Sequence, residues 1–276
     1  MPHFASPVDG TRLHYTDYGP ADGPVAVFLS SSYLGTEMWE YQTLPLAEAG
    51  YRCVALDRRG HGRSEDVWRF DLGTLADDVQ GLLDHLDVRE AALIGHSLGA
   101  AEIVHCLTRH GTERVARIAL VAGMPPGITR TDDNPAGVDQ AALRAGHEVF
   151  RRDRPAFFND EDAIRDFFVL DRNDLSAAYV RFMVDRCLAS TARSANAANA
   201  VVAGLDLAAE MPKIDLPVLV VHGSHDASAP LELTGRRSAA LIPGAVLKVY
   251  DHAGHGLFAT HASQLTADLR EFVSAG

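Results

Sequence analysis

The 276-residue sequence is poor in cysteine and has no long apolar run. Its three cysteines, Cys53, Cys106 and Cys187, form no CxxC pair, which argues against a disulfide framework. No segment approaches the roughly 18 apolar residues that a membrane-spanning helix needs. The first residues also lack the basic and apolar regions of a signal peptide. We therefore expect a cytoplasmic protein that has no membrane partner.

Basic residues are outnumbered as well. Lys and Arg total 25 against 37 Asp and Glu, which gives a formal net charge of −12 at pH 7. An acidic surface repels phosphate backbones, so nucleic acid is not expected as a partner. The expected partner is a small-molecule substrate, while the oligomeric state stays open and a homo-oligomer is compatible with the sequence.

Short segments rich in β-branched residues alternate with helical patterns, which is typical of a mostly parallel sheet with helices on both faces. Residues 74–86 predict a helix with Leu and Val on one face and Thr74 as its N-cap. An antiparallel edge is predicted around residues 12–17. The clearest strands are predicted at residues 25–30, 52–56, 91–94, 117–121, 217–222 and 246–250.

The alternation of strands and helices stops after Gly123 and resumes at Pro217. Between Met124 and Met211 the sequence has charge and helical patterning but no convincing strand. We expect residues 1–123 and 212–276 to form one α/β core. Residues 124–211 are then an inserted helical cap.

The segment Gly95-His96-Ser97-Leu98-Gly99 matches the G-x-S-x-G pattern. A predicted strand precedes it and a predicted helix follows, so Ser97 is expected at a sharp turn, exposed as a nucleophile. The Leu98 amide is then available to a developing oxyanion at the helix N-terminus. The alternative is a tight turn in which a serine merely fits.

A serine nucleophile needs a base, and the base needs an acid that orients it. For this pattern the usual chain order is serine, acid, histidine. Asp226 and His255 fit that order, and each follows a predicted strand at the carboxyl edge of the sheet, where ligands bind. Four neighbours offer alternatives that we expect to be structural: His222, His225 and His252 as the base and Asp251 as the acid.

Thirteen histidines also raise the question of a metal. The pairs His222/His225 and His252/His255 have a suggestive spacing, but the sequence has no HExxH motif and no cysteine cluster. No GxGxxG or Walker pattern follows a predicted strand. Neither a metal nor another cofactor is expected.

Four motifs occur in order along the chain: D-R-R-G-H-G-x-S at residues 57–64, G-x-S-x-G at 95–99, T-D-x-N-P at 131–135 and G-H-G at 254–256. With these motifs the sequence resembles the cofactor-free haloperoxidase, perhydrolase and aryl esterase family of the α/β-hydrolase superfamily. The resemblance covers nearly the whole chain. It implies an α/β-hydrolase fold with Ser97 as nucleophile, Asp226 as acid and His255 as base.

The resemblance also implies an oxyanion donor in the loop after the first parallel strand. The family usually has His-Gly-Trp or His-Gly-Phe there, whereas this chain has Ser30-Ser31-Ser32, which is similar to the loop of enol-lactone hydrolases. By position, the Ser32 amide is the first oxyanion donor and acts together with the Leu98 amide. Perhydrolytic members tend to have proline where this chain has Tyr33, so peracid formation is not expected as the main activity. Tyr33 and His96 are predicted to line the substrate pocket.

These residues together predict a serine hydrolase that cleaves a small carboxylic ester or lactone through an acyl-enzyme. Three alternatives stay open: the same residues acting on a C–C or amide (lactam) bond, perhydrolysis, or a ligand receptor that keeps the fold without catalysis.

Overall fold

The computed structural model describes residues 2–274, which form one eight-stranded sheet. The strands lie in the order β1-β2-β4-β3-β5-β6-β7-β8. Strands β1 and β2 pair in antiparallel fashion, as do β2 and β4, and all pairs from β4 to β8 are parallel. Their bounds are β1 (His3–Ala5), β2 (Arg12–Tyr18), β3 (Val25–Leu29), β4 (Arg52–Leu56), β5 (Ala91–His96), β6 (Val115–Val121), β7 (Val218–Gly223) and β8 (Val246–Tyr250).

The predicted fold class is confirmed. Each of the six predicted parallel strands is present with ends that shift by at most two residues. The antiparallel edge consists of β1 and β2, and β2 covers the predicted residues 12–17. Within residues 2–274 no helix is long and apolar enough to cross a membrane. The helices are α1 (Glu40–Glu48), α2 (Leu72–His85), α3 (Leu98–His110), α4 (Gln140–Arg152), α5 (Arg154–Phe158), α6 (Glu161–Phe168), α7 (Ala177–Ala189), α8 (Ala192–Ala203), α9 (Gly235–Leu241), α10 (Leu257–Thr260) and α11 (Ala262–Ser274).

Two apolar cores cover the two faces of the sheet. Successive strand side chains point to opposite faces, so Val27 and Leu29 of β3 pack with α2 and α3, while Ala26 and Phe28 pack with α1 and α11. A parallel sheet buried on both faces reads as a continuous apolar run rather than an alternating one. This explains why short apolar segments were sufficient to predict the strands.

The start of α2 differs from the prediction. Asp71, not Thr74, is the N-cap: its Oδ1 accepts the Thr74 amide at 2.8 Å, and its Oδ2 accepts the Thr74 hydroxyl at 2.8 Å. An N-cap residue accepts from the amide two or three positions onward. Thr74 therefore lies in the first turn of the helix, three residues after the N-cap, and its amide and hydroxyl donate to Asp71.

The segment between β6 and β7 has no named strand among the described residues and contains α4 to α8. Two isolated β-bridges, Thr129–Val138 and Thr131–Asn134, precede α4. Helix α4 packs on α8 and α5 packs on α7. These helices supply much of the wall of a cavity at the carboxyl edge of the sheet.

Candidate active site

Ser97 lies between the end of β5 and the start of α3 with φ 58° and ψ −115°. A positive φ is strained for a residue other than glycine and often marks a functional turn. Gly95 and Gly99 make the turn sterically accessible. A Cβ on Gly95 would lie 2.5 Å from the Gly99 carbonyl, and one on Gly99 would lie 2.4 Å from the Leu29 carbonyl oxygen.

His255 and Asp226 meet at the carboxyl ends of β8 and β7. Nδ1 of His255 lies 2.8 Å from Oδ2 of Asp226, while Oδ1 of Asp226 accepts the Ser228 and Ala229 amides at 3.0 and 2.7 Å. Burial alone would raise the pKa of Asp226. The neighbouring His255 and His222 nonetheless hold that pKa below its usual value through charge and hydrogen bonding. The carboxylate therefore stays ionised.

The four alternative acid and base candidates take other positions. His225, His252 and Asp251 are exposed, and none of them lines the cavity. His222 is fully buried, with Nε2 at 2.7 Å from the Ala229 carbonyl oxygen and 3.4 Å from Oδ2 of Asp226. Its contact with the Asp226 carboxylate helps to keep that carboxylate ionised.

Ser97 and His255 both line a cavity of about 490 Å³. Within the part of the chain that the structure describes, no Asp, Glu, Lys or Arg side chain lines this cavity. Neither Oγ of Ser97 nor Nε2 of His255 hydrogen-bonds to another residue between 2 and 274. The wall is largely apolar and includes seven Phe and Tyr side chains: Tyr33, Phe150, Phe157, Phe158, Phe167, Phe168 and Phe258.

Two backbone amides beside this wall are free. Leu98 is the first residue of α3, whose N-terminal amides lack intrahelical partners. Ser32 follows β3 and lines the cavity. Neither amide has a hydrogen-bond partner among residues 2–274. The positive end of the α3 dipole adds to the attraction for negative charge near Ser97.

Tyr33 lines the cavity, and its place in a substrate pocket stays a prediction. Its ring stacks on Phe150 with centroids 5.6 Å apart, and its hydroxyl donates to Oδ1 of Asn199, another lining residue. Burial raises the pKa of this phenol, so it stays protonated. Sequence reasoning missed Asn199 because it belongs to no motif in the alanine-rich α8.

The expectation that His96 lines the pocket is wrong. His96 does not line the cavity; it is fully buried, with Nε2 2.8 Å from the His255 carbonyl oxygen. Its ring contacts the rings of Trp39, Phe258 and His255, and the His96 and His255 centroids are 4.7 Å apart in an edge-to-face arrangement. Its side chain therefore enters the apolar core on the α1 and α11 face, behind His255.

The protein is expected to lose stability in acid because the pKa values of two buried histidines are lowered. Burial and the Arg58 charge lower the pKa of His61 to about 4, and burial lowers that of His96 to about 3. Between pH 6.5 and 4 the unfolded chain binds protons that the folded chain does not. The free energy of unfolding should therefore fall by about 2–3 kcal/mol per histidine between pH 7 and 4.5.

Urea unfolding at the two pH values measures this loss. The variant His61→Gln should show a smaller pH effect than wild type, and the exposed control His225→Gln should keep the wild-type effect. Identical pH dependence in wild type and His61→Gln would contradict the expectation.

No group of three or more His, Cys, Asp or Glu side chains within residues 2–274 is arranged to hold a metal ion.

Comparison with known proteins places this geometry in a family. A family model described as the alpha/beta hydrolase fold matches residues 27–262, so the chain belongs to the α/β-hydrolase family. The sequence is 34% identical over 271 residues to a non-heme chloroperoxidase of Kitasatospora aureofaciens, covering 96% of this chain and 97% of that one. It is 31% identical over 273 residues to a bifunctional esterase/perhydrolase of Acinetobacter calcoaceticus, covering 98% and 99%.

A solved structure is similar over the whole chain. The enol-lactonase from Burkholderia xenovorans LB400 superposes with a TM-score of 0.85 at 25% identity, covering 99% of this chain and 100% of that one. The resemblance expected from the sequence, to haloperoxidases, perhydrolases and esterases, is confirmed, and an enol-lactonase is among the similar structures.

Proposed function

We propose that this protein is a serine hydrolase that cleaves small neutral carboxylic esters and lactones through an acyl-enzyme. One observation carries the proposal: Ser97 and His255 share the wall of a cavity that no described Asp, Glu, Lys or Arg side chain lines, and Asp226 is hydrogen-bonded to His255. The names of the relatives, an esterase/perhydrolase and an enol-lactonase, support the same chemistry.

In the first half-reaction, Oγ of Ser97 attacks the carbonyl carbon while Nε2 of His255 takes the hydroxyl proton. Collapse of the tetrahedral intermediate breaks the bond to the leaving oxygen, which receives that proton from His255. In the second half-reaction, His255 deprotonates a water that attacks the acyl-enzyme, and Ser97 recovers its proton. Asp226 holds Nδ1–H of His255 and stabilises the imidazolium, because its carboxylate stays ionised.

The hydrogen bond between Ser97 and His255 forms with substrate in this account. Catalytic hydrogen bonds are often long in a free enzyme and shorten in the complex. The Ser32 and Leu98 amides, which are free in the absence of substrate, donate to the oxyanion. Each such donor contributes roughly 3–4 kcal/mol to the transition state.

The substrate class follows from the cavity. Residues 124–211, which we propose act as a cap, contribute Phe150, Phe157 and Phe158 to an apolar wall. A substrate carboxylate inside this wall would have no Lys or Arg side chain to pair with, and burying an unpaired charge costs several kcal/mol. Neutral acyl groups are therefore preferred over acyl groups that end in a carboxylate.

The test is a panel of p-nitrophenyl esters and small lactones. We expect turnover of p-nitrophenyl butyrate and hexanoate, and a value of kcat/KM about 100-fold lower for the p-nitrophenyl monoester of adipic acid, which matches hexanoate in length but is charged. Equal rates on the charged and neutral esters would contradict the substrate class. No turnover of any ester or lactone by folded protein would contradict the proposed function.

A further inference from the structure

The loop that carries Ser32 is held by a buried ion pair from outside the cavity. Nη1 of Arg58 donates to the Ser31 carbonyl oxygen at 2.9 Å, and Nη2 donates to the Ser30 carbonyl oxygen at 2.8 Å. Nε of the same guanidinium donates to Oε1 of Glu102. The Arg58 side chain is 4% exposed and that of Glu102 is 3% exposed.

One of these contacts fixes the direction of an amide. The Ser31 carbonyl and the Ser32 N–H belong to the same planar trans peptide, so they point in opposite directions. Because the carbonyl points at Arg58, the N–H points away from it, and Ser32 lines the cavity on that other side. A cation on the carbonyl oxygen also polarises the peptide and strengthens its N–H as a donor.

The ion pair joins this amide to the nucleophile's own helix. Glu102 lies in α3, four residues after Leu98, whose amide is the second free donor. Because Arg58 is hydrogen-bonded to Glu102, it fixes the position of the Ser32 amide relative to α3, the helix that carries the Leu98 amide. The pair is a weak source of stability, since a buried ion pair is often no more stabilising than apolar packing. A role in positioning gives a physical reason for this buried pair.

We propose that Arg58, held by Glu102, is a positioning residue that orients the Ser32 amide as an oxyanion donor. This proposal rests on the proposed function. His61 contributes to this positioning, because its Nε2 lies 2.6 Å from the Ser32 carbonyl oxygen, which belongs to the next peptide unit of the loop. None of these side chains lines the cavity, so all act through the backbone.

The test compares Arg58→Gln, Arg58→Lys and Glu102→Gln with the matched control Arg59→Lys. Arg59 is the next residue, is equally buried and pairs with Asp78, but it makes no contact with the Ser30–Ser32 carbonyls. Active sites are counted by the burst of p-nitrophenol released with diethyl p-nitrophenyl phosphate. The rate of ester hydrolysis is then expressed per counted site, which removes any loss due to unfolded protein.

For Arg58→Gln we expect kcat per site to fall about 10- to 100-fold with KM within about twofold, because the oxyanion exists only in the transition state. Arg58→Lys, which reaches fewer carbonyls, and Glu102→Gln should lose about 3- to 10-fold. The affinity of a trifluoromethyl ketone, which forms an oxyanion on the serine, should fall in parallel with kcat/KM. Arg59→Lys should keep the wild-type kcat per site.

Unchanged kcat per site in the Arg58 and Glu102 variants would overturn this role, as would an equal loss in Arg59→Lys. Should Arg58→Gln fail to fold, Arg58→Lys and the isosteric Glu102→Gln carry the same comparison. A wild-type protein that the organophosphate does not label would instead reject the proposed function. The two failures are thus distinguishable.

Discussion

Ser97→Ala is expected to lower kcat for p-nitrophenyl butyrate by about 10⁵- to 10⁶-fold. The variant loses the oxygen that attacks the carbonyl carbon and carries the acyl group. What remains is binding in the cavity and the donor amides, which alone give about a 10³- to 10⁴-fold acceleration over water. The measurement is steady-state release of p-nitrophenol at matched protein concentration.

The fold should tolerate this change. Oγ of Ser97 makes no hydrogen bond with other described residues, and alanine is small enough for the turn between Gly95 and Gly99. The melting temperature should therefore stay within a few degrees of wild type, as it should for Ser263→Ala on the exposed surface of α11. Wild-type rates in a folded Ser97→Ala protein would contradict the role of Ser97.

Asp226→Asn is expected to lower kcat by up to about 10⁴-fold. The amide oxygen can keep the Ser228 and Ala229 amides, so the new NH₂ group faces Nδ1 of His255. That nitrogen must then accept, which moves the proton of the neutral ring to Nε2. A protonated Nε2 cannot take the proton of Ser97, so the variant holds the base in the wrong tautomer.

The matched control is Asp251→Asn, which removes a carboxylate from the neighbouring loop. Asp251 is exposed and outside the cavity wall, so we expect its variant to keep activity within about twofold. Steady-state rates on one activated ester compare the two variants directly. A loss in Asp251→Asn equal to that in Asp226→Asn would contradict the assignment of the acid.

The strands of the sheet were predictable because the apolar pattern of each short segment agrees with the structure that the segment adopts in the folded chain. Segments such as residues 52–56 and 246–250 are short and apolar, and they match β4 and β8 without any shift. The turn at Ser97 was predictable for a similar reason, since the glycines at 95 and 99 are what a close strand and helix require. Asp226 and His255 follow strands whose ends meet at one edge.

Contacts between distant segments were not predictable from these patterns. His96 lies in the motif itself, yet its ring points into the core because neighbouring residues face opposite ways there. Asn199 reaches the Tyr33 hydroxyl across 166 positions, and Arg58 reaches Glu102 across 44. Nothing in a helical pattern tells which polar residue faces a cavity that forms only when α4 to α8 pack on the sheet.

The most direct test of the central claim is the site of covalent labelling by diethyl p-nitrophenyl phosphate. Attack by the Ser97 oxygen on phosphorus would form a Ser97–phosphate bond and release one p-nitrophenolate per chain. The account predicts a single diethylphosphoryl group by intact-mass measurement, mapped to the peptide containing Ser97 and absent in Ser97→Ala. Equal labelling of Ser97→Ala, or a label mapped to another residue of active wild-type protein, would contradict it.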